Sequence, residues 1–483
     1  MDMTRRPQKV LLTNPFTLDD RPNPNVGIDL VVTRHAGQEI KTGVTFPLGL
    51  AMLAGVLREK GHQVKCFDPI AEKVPASEII AAAEWAEAII IPYSPAHDAD
   101  LREFFSRFSN KLRITGGGFS YYFGDQLFSP DFCEVILGPD PDFFIADILE
   151  RGGAGEGIPS IGWWRGESFV RNPPPERELG LDSLPYPAYD LFPLQRYHDI
   201  IFFGQPTIWP LPSRGCPYQC IFCAQHFASR GRVRYRAPAN FVGELEMLRR
   251  RHRIRNFVFF DEAFNLNRDF ARRVCRLIIE KKLGIRWSCA ARSDLIDEET
   301  ARLMKEAGCI EMRLGLESAN DEILEYLGKN VKVAEFRRGI EVLKKVGLTF
   351  SLQCIFGSPG ETLETIQRTM DFIRWARPLF VSFNILTPLP GSQLFEQVKE
   401  GLEIEQLKTF DILHSEIQLG EFTVEELRRE VRRAYRGYYL SPYFAGRLVL
   451  ELARRPSCLG SFLGMIFRQG VYFRRSVLSR RKQ

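Results

Sequence analysis

The sequence predicts an α/β protein: a doubly wound N-terminal unit, then a partial (β/α)6 barrel, then a helical, basic C-terminal region. Three observations predict it. Strand-like runs alternate with segments of helical period over the first third of the chain, and the alternation resumes after residue 205. A proline-rich stretch without period lies between. At 483 residues the chain is long enough for about three domains of roughly 150 residues.

In the first unit, 1–150, residues 9–16 (KVLLTNPF) read as a strand, 47–62 as a helix stopped at Gly61, and 63–69 as a strand. Residues 77–86 (helix), 87–94 (buried strand), 99–111 (helix) and 112–118 (strand and glycine turn) follow. A short strand at 134–138 and a helix at 143–152 close the unit. Such alternation implies parallel βαβ units in a flavodoxin- or Rossmann-like sheet, with ligands beyond the carboxyl ends of the strands. The loops placed there are 14–16, 45–48, 92–97 and 116–120. Residues 171–193 hold six prolines in 23 positions, so 151–205 reads as an ordered strap. Six strands with crossover helices then fill 206–400, a partial barrel whose site belongs at the strands' C-terminal mouth. The remainder, 401–483, is helical, aromatic and basic.

A hydrophobic fraction of 45% with 26% charged residues excludes wholesale disorder. No apolar run reaches 18 residues, the longest being 458–467, and the N-terminus carries no apolar leader, so a cytoplasmic protein is expected. The 65 basic and 60 acidic residues give +5. From Arg428 onward, 14 Lys/Arg face only Glu430 and Glu451, a balance of +12 that leaves −7 for the rest. This aromatic, basic end predicts either peripheral contact with the inner face of a membrane or a helical cap on the barrel, with nucleic acid the weaker alternative.

Ten cysteines in a reduced compartment are not a disulfide framework. Seven are scattered in apolar runs and read as core thiols, Cys66, Cys133 and Cys458 among them. Cys216, Cys220 and Cys223, on the loop after the first barrel strand, are spaced to curl around one corner of a metal centre. Three thiolates on a cubane leave one iron open for a chelating substrate. The alternative is a structural zinc site with His226 as fourth ligand. The flanking Pro217, Tyr218, Ile221 and Phe222 would shield a redox centre, which favours the cluster. His226, His252 and His414 read as structural, and nothing in the spacing selects Arg214 or Tyr218 as a proton donor.

The CxxxCxxC run resembles the signature of the radical S-adenosylmethionine (SAM) superfamily. That resemblance implies a [4Fe-4S] cluster holding SAM at its open iron and reductive cleavage of SAM to a 5′-deoxyadenosyl radical. Further motifs agree in order over about 206–400. Phe260-Asp261-Glu262-Ala263-Phe264 resembles FxDExF, whose carboxylates would accept from the methionine ammonium; the alternative is a helix cap. Trp287 to Arg292 resembles WxCxxR, with Arg292 either clamping the SAM carboxylate or pairing with a barrel carboxylate. Gly315-Leu316-Glu317-Ser318 resembles GLES and would place Glu317 on the SAM ribose. Residues 356–361 match FGLPGE except at Ser358, and 388–392 resemble PxPGT.

The N-terminal unit resembles the cobalamin-binding domain of one branch of that superfamily. Thr45, Pro47 and Leu48 fall in its PPLGL-like element, Gly116 and Gly117 in its glycine turn, and Ser94 in the neighbouring loop. The DxHxxG of a lower cobalt ligand is missing, and Gly138-Pro-Asp140-Pro-Asp142 stands where GEGE is usual. The resemblance implies a cobalamin-dependent radical SAM enzyme, a C-methyltransferase acting on a hydrophobic small molecule with a flavodoxin- or ferredoxin-type electron donor. The alternatives are oxidative cyclisation or rearrangement without methyl transfer, and a cobalamin or redox sensor. Methylthiolation of tRNA would need three further N-terminal cysteines, and only Cys66 and Cys133 are there.

Overall fold

The computed structural model describes residues 8–18, 32–35, 38–41, 43–176, 179–403 and 417–454. His414 and the basic tail from Arg455, with Cys458, lie outside the described residues.

Five parallel strands head the N-terminal sheet: β1 (Lys9–Thr13), β2 (Gln63–Phe67), β3 (Ala88–Ile90), β4 (Leu112–Gly116) and β5 (Val135–Leu137), in the order β2-β1-β3-β4-β5. This is the flavodoxin order, with its switch point between β1 and β3. The central strands are buried along almost their whole length, as a parallel sheet covered by helices on both faces requires. The helices are α1 (Leu48–Glu59), α2 (Ala76–Trp85), α3 (Asp98–Arg107), α4 (Gly118–Phe123) and α5 (Ile145–Glu150). The sheet runs on past residue 150: β6 (Ile161–Arg165) and β7 (Ser168–Arg171) form an antiparallel hairpin paired to β5. Its tight turn uses Gly166 at φ +61°.

The strap packs on both neighbours. Phe46 stacks on Tyr189 with ring centroids 5.2 Å apart and meets Phe192 and Tyr197 edge-on. Gly55 of α1 lies so close to the strap that a Cβ there would stand 2.6 Å from the Tyr186 carbonyl oxygen. On the barrel side, Tyr189 donates to Glu244 at 2.5 Å, and Asp199 takes Arg313 Nη2 at 2.9 Å inside the barrel.

The barrel sheet is β8 (Thr207–Ile208), β9 (Asn256–Phe259), β10 (Arg286–Ala291), β11 (Cys309–Glu317), β12 (Thr349–Phe356) and β13 (Val381–Ile385), all parallel and in chain order. Its outer helices are α6 (Pro238–Arg251), α7 (Arg268–Glu280), α8 (Glu298–Glu306), α9 (Val333–Val346) and α10 (Leu363–Ala376). The first strand is shorter than the sequence suggests. Pro210 and Pro212 have no N–H to donate, so the regular ladder ends at Ile208 with one further bond, Phe260 N–H to the Pro210 carbonyl at 2.9 Å, and Ser213–Arg214 pair antiparallel with Arg234–Tyr235. This short ladder frames the cysteine loop.

Two helices close the far side, α11 (Val424–Tyr439) and α12 (Pro442–Arg454). Tyr435 and Tyr439 of α11 accept from the Phe383 and Val381 amides at 3.1 and 3.0 Å, which covers the open edge of β13. For residues 424–444 the aromatic C-terminal region is therefore a cap on the barrel.

Candidate active site

The three cysteines stand together on the loop after the Ser213–Arg214 ladder, each partly buried. The loop is held by its backbone: Cys223 N–H donates to Cys220 O, Ile221 N–H to Leu327 O, and Leu394 N–H to Ile221 O. Ile221 and Phe222 pack into a small apolar cluster with Ile323, Leu327, Leu386 and Leu394. Gly215 has φ +101°, and a Cβ there would lie 1.9 Å from the Arg232 carbonyl oxygen, so only glycine lets the chain turn into the loop. Burial raises all three thiol pKa values, that of Cys223 to about 11. Among the described residues no three His, Cys, Asp or Glu side chains converge on a single-ion position. Thiolates at separate corners of a cubane need no such convergence.

Glu262 and Asp261 end β9 opposite the loop. Burial pushes the Glu262 carboxyl up to about 6 and raises the Asp261 carboxyl as well. Ser213 Oγ donates to Asp261 Oδ2 at 3.2 Å, while Oδ1 is buried without a protein partner. Of the two, Glu262 is the carboxylate whose charge reaches Cys216 and Cys223.

Arg292, at the end of β10, is spoken for. Its Nε and Nη2 pair with Asp294 at 3.0 and 3.2 Å, and its guanidinium carbon lies 3.6 Å from the centre of the Tyr218 ring in the cysteine loop. The ion pair with a barrel carboxylate, one of the two roles the sequence allows, is formed with Asp294. Asn265, which the motif comparison passes over, clamps the Arg292 backbone by donating to its carbonyl and accepting from its amide, both at 2.8 Å.

β11 bulges between Gly315 and Glu317, and Glu317 sits at φ +60°, a left-handed conformation unfavourable for a glutamate. Its Oε1 accepts from Lys329 Nζ at 2.6 Å. Gly315 makes room for this pair, since a Cβ there would stand 2.4 Å from Glu317 Oε1. Burial opposes the Lys329 charge, but Glu317 and then Cys220 overcome it and hold the ammonium above its usual range. Lys329 carries no motif signal; only its place two residues after Leu327, which braces the cysteine loop, marks it.

In the N-terminal unit Ser94, Gly116 and Gly117 meet at the carboxyl ends of β3 and β4. Ser94 Oγ lies 3.5 Å from His97 Nδ1, and burial lowers the His97 pKa to about 4. Gly116 approaches Leu137 closely and Gly117 turns at φ +119°. Thr45, Pro47 and Leu48 stand at the start of α1, on the same edge, where Leu48 is buried.

This edge faces the cysteine loop. Tyr121 and Tyr122 of α4 contact the ring of Phe227, four residues past Cys223, at 6.4 and 5.8 Å. Asp140 and Asp142 take Arg214, beside Cys216, at 2.8 and 3.0 Å, and Asp140 takes Arg234 at 2.7 Å. The acidic turn that replaces GEGE is therefore the latch between the two units, which the sequence alone does not reveal.

Residues 211–373 match the radical SAM superfamily. An uncharacterized methyltransferase of Pyrococcus horikoshii is 30% identical over 410 residues, covering 82% of this chain and 88% of the relative. The chain belongs to the radical SAM superfamily. This radical SAM protein is also 29% identical over 266 residues to the anaerobic magnesium-protoporphyrin IX monomethyl ester cyclase of Rubrivivax gelatinosus, covering 54% of this chain and 48% of the relative. In fold it resembles the radical SAM methyltransferase TsrM of Kitasatospora setae, solved with cobalamin and a [4Fe-4S] cluster bound, at a TM-score of 0.64 and 19% identity. That match covers 82% of this chain and 75% of TsrM.

Proposed function

We propose that the protein is a cobalamin-dependent radical SAM enzyme that methylates an unactivated carbon of a small hydrophobic molecule. The carrying observation is the apposition, through the Asp140–Arg214 latch, of the glycine-lined edge of the N-terminal sheet and the three-cysteine loop. Cys216, Cys220 and Cys223 would hold the [4Fe-4S] cluster. The edge formed by Ser94, Gly116, Gly117 and the Thr45–Pro47–Leu48 entry to α1 would carry cobalamin. When bound, these groups and SAM supply the radical and the methyl donor.

In this reading the chain's own residues position and screen. Glu262 and Asp261 accept from the methionine ammonium, Glu262 ahead of Asp261, whose Oδ2 is already taken by Ser213. Glu317 accepts from the ribose while Lys329 balances its charge, and Gly315 leaves space for both. Phe222 excludes water from the cluster side. Arg292, held by Asp294, stiffens the cysteine loop through Tyr218. Phe260, 45% exposed at the end of β9, offers apolar surface beside these groups to a hydrophobic substrate. An external flavodoxin- or ferredoxin-type donor supplies electrons, and the basic tail contacts the inner face of a membrane. The methyltransferase relative, 30% identical over 88% of its length, against cyclases 29% identical over 48% and 24% identical over 69% of theirs, favours methyl transfer over oxidative cyclisation.

The test is anaerobic incubation of reconstituted protein with SAM, cobalamin and a strong reductant, beside a Cys220→Ala control. Deoxyadenosine together with S-adenosylhomocysteine, both lost in the control, is the expected result. Deoxyadenosine alone in the presence of accepted substrate points to oxidative chemistry, and neither product from cluster-loaded protein refutes the proposal.

A further inference from the structure

At the base of the barrel, the end away from the cysteine loop, the ends of α9 and α10 and the face of α12 line an open recess of about 710 Å³. Its charged lining is entirely cationic: Lys344, Arg374, Arg377 and Arg447. Asp371 pairs with Arg374 along α10, and Glu341 partly counters the burial and the neighbouring Arg377 and Arg337 that lower the Lys344 pKa. The Trp375 ring, in the lining, lies 4.1 Å from Lys344 Nζ and also carries Arg337, outside the lining, at 3.9 Å. Arg447 donates to Thr349 Oγ1 at 3.4 Å, and Tyr443 donates to the Arg377 carbonyl at 2.9 Å.

A second observation adjoins the first. Among the described residues seven large apolar side chains are exposed, and three of them, Leu440, Val449 and Leu450, fall on α12 or just before it. Leu450 is three residues after Arg447 and seven after Tyr443, so at helical spacing it continues the face that lines the recess. Exposed cations around an open recess, with uncovered leucine and valine on the adjoining helix, match a surface that presents phosphate above hydrocarbon.

We propose that the base of the barrel is a lipid-binding surface, with the recess taking the phosphate of an anionic phospholipid headgroup and Leu440, Val449 and Leu450 entering the acyl boundary. It is a folded site distinct from the basic tail and independent of the chemistry proposed at the cysteine loop.

The test is sedimentation of the full chain with phosphatidylglycerol vesicles and with phosphatidylcholine vesicles, and titration with inorganic phosphate. The variants are Lys344→Gln/Arg377→Gln, at two exposed cations, and Leu440→Ser/Val449→Ser/Leu450→Ser, at exposed apolar positions outside the core. Unchanged melting temperature and iron content establish that each is folded. Binding to phosphatidylglycerol well above phosphatidylcholine is expected, falling about 25-fold in the charge variant at roughly fivefold per cation near an anionic surface. The apolar variant is expected to lose affinity as well. A loss under about twofold in the charge variant with the tail intact assigns binding to the tail and overturns the proposal. Equal binding to both vesicles, or binding of phosphate alone without vesicle binding, overturns it too.

Discussion

Removing the Asp140 charge should loosen the attachment of the N-terminal unit to the cysteine loop. Asp140 has φ +58°, and asparagine tolerates that conformation, so Asp140→Asn changes charge without straining the backbone. In the native latch two aspartates face two arginines, with side chains between 4% and 19% exposed. The variant leaves Arg234 without its carboxylate while Arg214 keeps Asp142. Breaking one partner of a buried pair costs about 3–5 kcal/mol, and the surviving Asp142 contact places this case near 3. For an N-terminal unit of about 170 residues that corresponds to a fall of roughly 8 °C in its melting temperature. The assay is a double-mutant cycle of Asp140→Asn with Arg234→Met, read by thermal unfolding and by deoxyadenosine formed per cluster. The expected coupling exceeds 1 kcal/mol, with turnover falling more than iron content. Additive effects within about 0.5 kcal/mol would sink the reasoning, because the two charges would then not be acting on each other.

Other outcomes follow from single sites. Gly215→Ala should abolish cluster loading, measured as iron per chain, because its Cβ collides with a backbone oxygen that cannot move away cheaply. Lys329→Met should leave Glu317 buried and unpaired, destabilising the barrel by about 3 kcal/mol and weakening SAM binding; an unchanged melting temperature would contradict this. Burial raises the Glu361 carboxyl to about 7, above the ordinary 4.5, so the folded state binds more protons there than the unfolded state. Its contribution is fully present below about pH 4.5 and is lost as pH rises toward 7. Glu361→Gln should therefore raise the melting temperature at pH 8 and not at pH 4. His97 has the opposite sign: with a folded pKa of about 4 against 6.5, it should make stability fall as pH drops from 6.5 to 4, and His97→Gln should flatten that slope.

The alternation of strand and helix was legible because parallel strands buried on both faces leave continuous apolar runs such as 88–91, and their order follows the crossover rule. The cysteine loop and the carboxylates at the ends of β9 and β11 were legible as local motifs. What escaped depends on contacts distant in sequence. The hairpin at 161–171 joins a sheet begun 150 residues earlier, and nothing in its own period says which edge it will extend. The Asp140–Arg214 latch spans 74 residues, and Lys329 finds Glu317 only through the bulge in β11. Arg292 illustrates a different limit: Asp294 is only two residues away, but the Tyr218 ring that it covers lies 74 residues earlier and is met only in the fold.

The strap changes what counts as an exchangeable part. Tyr189 is at once a stacking partner for Phe46 in the N-terminal unit and a hydrogen-bond donor to Glu244 on the barrel helix α6, and Asp199 reaches into the barrel to Arg313. A chimera cut at residue 150, where the proline-rich composition invites it, would sever the sheet from its own hairpin and leave Phe46 facing a foreign tyrosine. The inheritable module runs from β1 through Asp199, and a transplant of that length must find an arginine at the position of Arg313. The placement of the glycine-lined edge against the cysteine loop is thus tied to an insert that packs on both units, so exchanging the N-terminal sheet without it would leave that placement undefined.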